Sequence, residues 1–170
     1  SFFEKGIVAH IGFAEPVCAK LCEAVYTSAG KTGSKVHLGG TYLNMEGPAF
    51  STKAESNLYR AWGMDIIGMT NMAEAKLARE AGICYCTLAA VTDYDCWYES
   101  VETVTVEMVM SNLSKNIQNA KNILKRLIPA LENKHNCSCR EALKYAIVTD
   151  KKFIPRKVKE DLKIIIGKYI

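Results

Sequence analysis

Apolar and polar positions fall along this chain in blocks that predict strands and helices by turns. Residues 6–13 set Ile7, Val8, Ala9, Ile11 and Phe13 around a single His10, the pattern of a buried strand. Pro16 stands where a helix can begin, because its missing N–H is not needed there. Cys18, Leu21, Cys22 and Val25 share one face of the helix predicted over 16–29, which Gly30 and Gly33 end. Val36 to Met45 predicts a second strand region, in which Gly39-Gly40 mark a bulge or a close backbone approach. Glu46-Gly47-Pro48 forbids regular helix and central strand alike, so it predicts a loop. Thr52-Lys53-Ala54-Glu55 matches a capping box, and the helix it starts carries Leu58, Ala61 and Trp62 inward as far as Gly63.

Residues 65–69 form a short apolar strand pattern. Residues 74–81 predict a helix with Leu77, Ala78 and Ala81 on one side, ended by Gly82. Ile83 to Thr92 is nearly continuous apolar, as suits a strand buried on both faces. The longest helix is predicted from about Val104 to Leu127, where Val106, Val109, Met110, Leu113, Ile117, Ala120, Leu124 and Leu127 step by three and four before Pro129. Pro155 opens a final helix with Val158, Leu162, Ile165 and Ile166 as its apolar face. Strand alternating with helix predicts an α/β fold, and no repeat or linker divides residues 1–170, which read as a single domain. Ligands of open α/β sheets bind beyond the carboxyl ends of strands. Those ends are Met45-Glu46, Met69-Thr70 and Thr92-Asp93, so three polar segments become the walls of one expected pocket.

Composition narrows the class. The chain has 170 residues, 49% hydrophobic and 24% charged, which is ordinary for a folded domain and excludes a disordered one. No apolar run is long enough for a bilayer, and Ser1-Phe2-Phe3-Glu4-Lys5 lacks a secretory pattern, so the expectation is a cytoplasmic protein without membrane contact. The net charge of +4 is uneven: from Lys115 onward there are 14 basic against 5 acidic residues. A basic tail is either a nucleic-acid footprint or the solvated face of amphipathic helices. The tail lacks aromatic interleaving, so no nucleic-acid partner is expected. Seven cysteines, Cys18, Cys22, Cys84, Cys86, Cys96, Cys137 and Cys139, are many for a cytoplasmic chain. None forms the paired C-x2-C framework of a zinc site, so no metal is expected. They read as buried thiols or as the disulfides of an intracellular protein from a thermophile.

Each candidate site residue has a plain reading beside a chemical one. His10 fits a hydrogen-bonded core histidine. Asp93 and Asp95 fit turn or helix caps. As residues i and i+2 of an extended segment they also point the same way, so two carboxyls can serve one planar ligand. Ser51 and Thr52 fit helix caps, Met69 fits the core, and Thr70 either ends a strand or binds an anion through its hydroxyl and N–H.

Four stretches in order change this balance. They are Asn-Met-Glu-Gly-Pro-Ala-Phe-Ser-Thr-Lys-Ala-Glu-Ser (44–56), Trp-Gly-Met-Asp-Ile-Ile-Gly-Met-Thr (62–70), Glu-Ala-Lys-Leu-Ala-Arg-Glu-Ala-Gly-Ile-Cys-Tyr (74–85) and Val-Thr-Asp-Tyr-Asp-Cys-Trp (91–97). They resemble consecutive signatures of the purine nucleoside phosphorylase family, and within it the 5′-methylthioadenosine phosphorylases of archaeal type. The resemblance covers about Phe2 to Leu127. It implies a mixed sheet surrounded by helices. It also implies phosphorolysis of the N-glycosidic bond of methylthioadenosine, giving adenine and 5-methylthioribose 1-phosphate, with inorganic phosphate as co-substrate and no cofactor. Asp93 is implied as the acid at purine N7, and Asp95 as acceptor from the 6-amino group. Phe50 and Ser51 would line the base, Met69 the ribose, and Thr70 the phosphate. His10 would lie near the 5′ substituent, and Val106, Val109 and Met110 would cup the methylthio group. Enzymes for 6-oxopurines carry Asn at the position of Asp93 and Glu at that of Ser51, so both residues favour a 6-aminopurine, while the resemblance leaves adenosine and other purine nucleosides open as further substrates, since related archaeal enzymes accept several.

The family also has an N-terminal portion with a glycine-rich phosphate loop, and this chain holds no such loop. The expectation is the C-terminal part of a phosphorylase fold, whose N-terminal segment acts as a partner completing sheet and site, in a homo-oligomer, trimer or hexamer. If helix 16–29 packs beside strand 83–92, Cys18 or Cys22 can pair with Cys84 or Cys86, or one of the latter with Cys137 or Cys139. A hydrolytic nucleosidase using water is the alternative enzyme. A non-catalytic oligomerisation fragment is the alternative outside enzymes.

Overall fold

The computed structural model describes residues 1–4, 6–98, 105–131 and 137–170. In chain order these form α1 (Ala19–Gly30), β1 (Tyr42–Asn44), α2 (Lys53–Ala61), β2 (Ile66–Gly68), α3 (Asn71–Glu80) and α4 (Val106–Ala130). Two short 3-10 turns, Ser138–Glu141 and Lys151–Phe153, precede α5 (Arg156–Asp161) and α6 (Lys163–Ile166). The chain falls into two compact units. The first takes the described residues of Ser1–Cys22, Met72–Thr87 and Asn133–Ile170, and the second those of Glu23–Asn71 and Leu88–Glu132. No helix among the described residues is long and apolar enough to cross a membrane.

The first unit is built on Ile7, Leu143, Ala146, Ile154 and Ile166, with Phe3, Ala9, Ile11, Val158, Leu162 and Ile165 packed around them. The predicted strand over 6–13 is extended but pairs only through an isolated antiparallel bridge, Ala9 to Ile147. The His10 N–H donates to the Ala146 carbonyl at 2.8 Å, and the Val148 N–H to the Val8 carbonyl at 2.9 Å. Burial alternates along it: Ile7 is buried, Ala9 and Ile11 are half-buried, and Val8 and His10 are exposed. That period of two makes the segment one-sided and puts His10 on the outer face, so the core-histidine reading is corrected. The last helix is broken at Leu162 into α5 and α6, yet its apolar face meets the core as its spacing predicts.

In the second unit β1 and β2 pair in parallel, with Tyr42 opposite Ile66, Leu43 opposite Ile67 and Asn44 opposite Gly68. The predicted strand over 36–45 is reduced to three residues because Gly39 and Gly40 take φ of +85° and +107°, outside the β region. At Gly40 a side chain would meet the Asp65 carboxylate, which accepts the Thr41 N–H at 2.6 Å. The capping box forms as predicted: the Thr52 hydroxyl accepts from the Glu55 N–H, and the Glu55 carboxylate accepts from the Thr52 N–H at 2.7 Å. The face that α2 buries differs from the prediction. Ser56 is buried and Tyr59 half-buried, whereas Leu58 and Trp62 are exposed, because the helix docks through a hydrogen bond of Ser56.

The same exchange occurs on α4, capped at Thr105. Its inward stripe is Val109, Asn112, Asn116, Ala120, Ile123 and Leu127, and the predicted apolar positions Val106, Met110, Leu113, Ile117 and Leu124 are exposed. The two asparagines turn the helix, since their amides donate to the carbonyls of Thr92 and Val91 at 2.9 and 2.8 Å. The 83–92 run makes no ladder among the described residues, and Ile83, Leu88 and Val91 are exposed. Burial of such a run on both faces needs cover on both, which the described residues do not supply. The start of the predicted 104–127 helix at Val104 and most of the polar 133–140 stretch lie outside the described residues.

Candidate functional site

The parallel pairing of β1 and β2 delivers two chain segments at the same end. The Met45 N–H donates to the Gly68 carbonyl at 2.9 Å, and the Asn44 amide reaches the carbonyls of Met45 and Met69, both at 3.3 Å. Met69 packs over Gly47, where an added Cβ would stand 2.8 Å from its sulfur, so a side chain there would displace the Met69 thioether. Past Pro48 the loop exposes Phe50, 87% accessible, and turns back so that the Ser51 hydroxyl approaches the Met45 sulfur at 3.4 Å. Thr70 is exposed immediately ahead of α3.

The third segment is anchored from two sides. Asn112 and Asn116 of α4 hold the carbonyls of Thr92 and Val91. On the other side the Ser56 hydroxyl, 1% accessible, donates to Asp95 Oδ2 at 2.5 Å. The Cys96 thiol lies 3.6 Å from the Ser51 carbonyl, which joins this segment to the 45–52 loop. Asp93 is exposed, with Oδ1 accepting from the Thr92 hydroxyl. Asp95 is half-buried. Arg60 of α2 lies over the Trp97 ring at 4.0 Å, and Tyr94 stacks on Tyr98. A carboxylate has two oxygens, so with Oδ2 held by Ser56, Asp95 offers Oδ1 to a donor in a fixed direction.

In the second unit the Cys96–Ser51 contact thus joins the segment of Asp93 and Asp95 to the loop of Phe50 and Ser51, and Asn44 ties the start of that loop to Met69, which Thr70 follows in the chain. Val109 is half-buried on α4, while Val106 and Met110 are exposed there. His10 belongs to the first unit. Sequence reasoning missed Ser56, Asn112 and Asn116. The signal for Ser56 was a polar residue one turn after the capping threonine; for the asparagines it was their four-residue spacing beside the apolar stripe. An open depression of about 460 Å³, lined by Lys31, Thr32, Asn122, Lys125 and Arg126, lies elsewhere in the second unit and includes none of these residues.

A second cluster lies in the first unit, where the cysteine segments were expected to approach in pairs but not as four thiols at one point. The sulfurs of Cys18, Cys84, Cys137 and Cys139 all lie within 4.8 Å of one another. Next to them the Cys22 and Cys86 sulfurs are 3.2 Å apart. The expected proximity of the 18–22 segment to the 84–86 segment is thus met, and all seven cysteines are free thiols. Burial and the Cys22 thiol push Cys86 up to about 12. Burial, with neighbouring thiols, likewise raises Cys84, and raises Cys139 to about 11. For Cys137 burial is outweighed by hydrogen bonds, chiefly from the Cys139 backbone N–H, and the net direction is down.

The chain is similar to known proteins in both sequence and fold. Residues 1–129 match the model of the Phosphorylase superfamily. An S-methyl-5′-thioadenosine phosphorylase of Geobacter sulfurreducens is 53% identical over 170 residues, covering 100% of this chain and 59% of the relative. The crystal structure of a methylthioadenosine phosphorylase from an antarctic soil metagenomic library superposes with a TM-score of 0.89 at 39% identity, covering 96% of this chain and 58% of that one. A methylthioadenosine phosphorylase from Schistosoma mansoni in complex with adenine gives 0.70 at 31% identity, over 81% and 54%. The chain thus spans less than two thirds of the length of these relatives.

Proposed function

The chain belongs to the phosphorylase superfamily, and from that premise we propose that it carries the base-reading part of a methylthioadenosine phosphorylase. The observation that carries the reading is the pair Asp93 and Asp95 on a segment fixed by Ser56, Asn112 and Asn116, beside the Phe50-Ser51 loop. A planar 6-aminopurine presents two hydrogen-bonding edges to such a pair. Asp95 Oδ1 accepts from the 6-amino group, and Asp93 hands a proton to N7. Breaking the C1′–N9 bond sends its electron pair into the base, and the proton at N7 neutralises the charge that develops there. A phosphate oxygen forms the new bond to C1′. Phe50 supplies an apolar wall for the base and Met69 one for the ribose. Thr70, through its exposed hydroxyl and its own N–H, suits an anion such as phosphate. Val109, with Val106 and Met110 beside it on α4, suits the methylthio group.

In this reading the phosphate site is completed by a segment beyond these 170 residues, and the assembled enzyme is a trimer or hexamer. Two observations support a completing partner: the relatives are longer than this chain, and α4 leaves Val106, Met110, Leu113 and Ile117 uncovered. Phosphate dependence tests the reaction type. With the completing segment present, methylthioadenosine and phosphate give adenine and 5-methylthioribose 1-phosphate, and omitting phosphate stops adenine release. Adenine release at the same rate without phosphate, with free methylthioribose as product, would establish hydrolysis instead.

A further inference from the structure

Three separate stretches of the first unit bring four thiols to one point. Cys18 stands one residue ahead of α1, and its N–H donates to the Tyr85 carbonyl at 2.7 Å, fixing it beside the segment that carries Cys84. Gly82 lets that segment turn against the other contributor: a side chain there would lie 3.4 Å from the Arg140 carbonyl and 3.6 Å from that of Cys139. Cys137 and Cys139 flank the start of the 3-10 turn Ser138–Glu141. That turn is anchored through the Arg140 carbonyl, which accepts from Lys168 Nζ at 2.8 Å and from the Tyr169 hydroxyl at 3.0 Å. Cys18 and Cys139 are buried, 4% and 5% accessible, and Cys84 and Cys137 half-buried.

We propose that Cys18, Cys84, Cys137 and Cys139 form a tetrathiolate site for a single zinc ion that staples these three stretches. A zinc–sulfur bond of about 2.3 Å sets the sulfurs of a regular tetrahedron roughly 3.8 Å apart. The four sulfurs here are all within 4.8 Å of one another, with Cys84 and Cys137 at 3.4 Å, so the cage needs only a small adjustment. Four sulfur donors in that arrangement are the ligand set zinc takes in closed, structural sites. The Cys139 N–H directed at the Cys137 sulfur is the kind of backbone contact that orients a metal-bound thiolate. The site is structural because protein ligands fill all four positions, leaving none for water or substrate. Binding converts four thiols to thiolates and releases their protons, so affinity falls as pH falls. Cys22 and Cys86 lie close together as well, but they are two thiols without a second pair and make no cage.

The test starts with the protein purified with reductant and without chelator. Elemental analysis is expected to find about one zinc per chain, lost on strong chelation together with a fall in melting temperature. Reloading with cobalt(II) is expected to give the intense thiolate-to-metal and ligand-field bands of a four-coordinate sulfur site. Cys18→Ser and Cys137→Ser each lower zinc affinity on the order of 100-fold or more, while Cys22→Ser and Cys96→Ser retain the metal and the cobalt spectrum. Reduced protein that holds no zinc and yields no four-coordinate cobalt spectrum overturns the proposal. So does peptide mapping that finds Cys84 bonded to Cys137 in protein handled without oxygen. The wild-type cobalt spectrum decides the matter even if a ligand variant does not fold.

Discussion

The hydrogen bond from Ser56 to Asp95 makes a stability measurement into a test of how the proposed base site is held. Ser56 lies in α2 with its hydroxyl out of water, and its acceptor is a half-buried carboxylate on the 93–97 segment. A hydrogen bond to a charged partner contributes about 1.5–3 kcal/mol net. Ser56→Ala deletes the donor and leaves a carboxylate that water still reaches in part, so a loss of about 1.5 kcal/mol is expected. Asp95→Ala strands a buried hydroxyl, but that hydroxyl can swing to the carbonyl one turn back, at Thr52, which limits the loss to about 1–2 kcal/mol. Asp95→Asn keeps an acceptor oxygen and is expected to be the mildest of the three. In a double-mutant cycle by urea unfolding, Ser56→Ala and Asp95→Ala should be coupled by about 1 kcal/mol or more. Adenine affinity should fall with Ser56→Ala although Ser56 does not touch the base, because Asp95 Oδ1 loses its fixed direction. Coupling within about 0.3–0.5 kcal/mol of zero, the range of independent sites, together with unchanged adenine affinity, would refute the reasoning.

The capping box of α2 gives a local counterpart: Thr52→Ala should cost about 1 kcal/mol by denaturant unfolding. Hydrogen bonds from the Thr52 backbone N–H and hydroxyl hold the Glu55 carboxyl below its usual value of 4.5. Its contribution is therefore present above that pH and lost as pH falls through the lowered value. The stability difference between wild type and Glu55→Gln should accordingly shrink below pH 4.5, and a difference that grows in acid would contradict the assignment.

What the sequence disclosed was local. Thr52 and Glu55 are three residues apart, so the cap was readable, as were β2 from its apolar run and the break at Gly39-Gly40. Of the three ends expected to converge, 45–52 and 69–70 were readable because parallel strands place their carboxyl ends together, whereas 92–97 meets the 45–52 loop through Cys96 and Ser51, without a strand ladder over 83–92 among the described residues. Burial was misread where polar side chains decide the docking. On α4 the apolar stripe is longer than the buried one, yet Asn112 and Asn116 face inward because they satisfy the carbonyls of Thr92 and Val91. On α2 Ser56 does the same for Asp95. A side-chain amide or hydroxyl looks exposed to a periodicity argument, which cannot see its distant partner. The approach of the cysteine segments in pairs was expected, but four thiols meeting at one point was not, for a related reason. Zinc spacing rules look for pairs close in sequence, whereas Cys18, Cys84 and the Cys137-Cys139 pair meet only through the backbone contacts of Tyr85, Gly82 and Arg140. His10 was misread because its strand has one buried face, not two.

The proposal that the Asp93–Asp95 pair reads a 6-aminopurine is tested most directly by substrate selectivity in the assembled enzyme. The measurement is kcat/KM for methylthioadenosine over that for its 6-oxo analogue, in wild type and in Asp93→Asn. Loss of a general acid costs about 10²–10⁴-fold, and an amide can still accept a hydrogen bond from N7 of a 6-oxopurine as it leaves. The account predicts a wild type that favours the 6-amino substrate and a ratio that falls by about 100-fold or more in Asp93→Asn. A variant that loses activity on both substrates equally, with the ratio unchanged, would contradict it and leave Asp93 as a residue of the loop's structure.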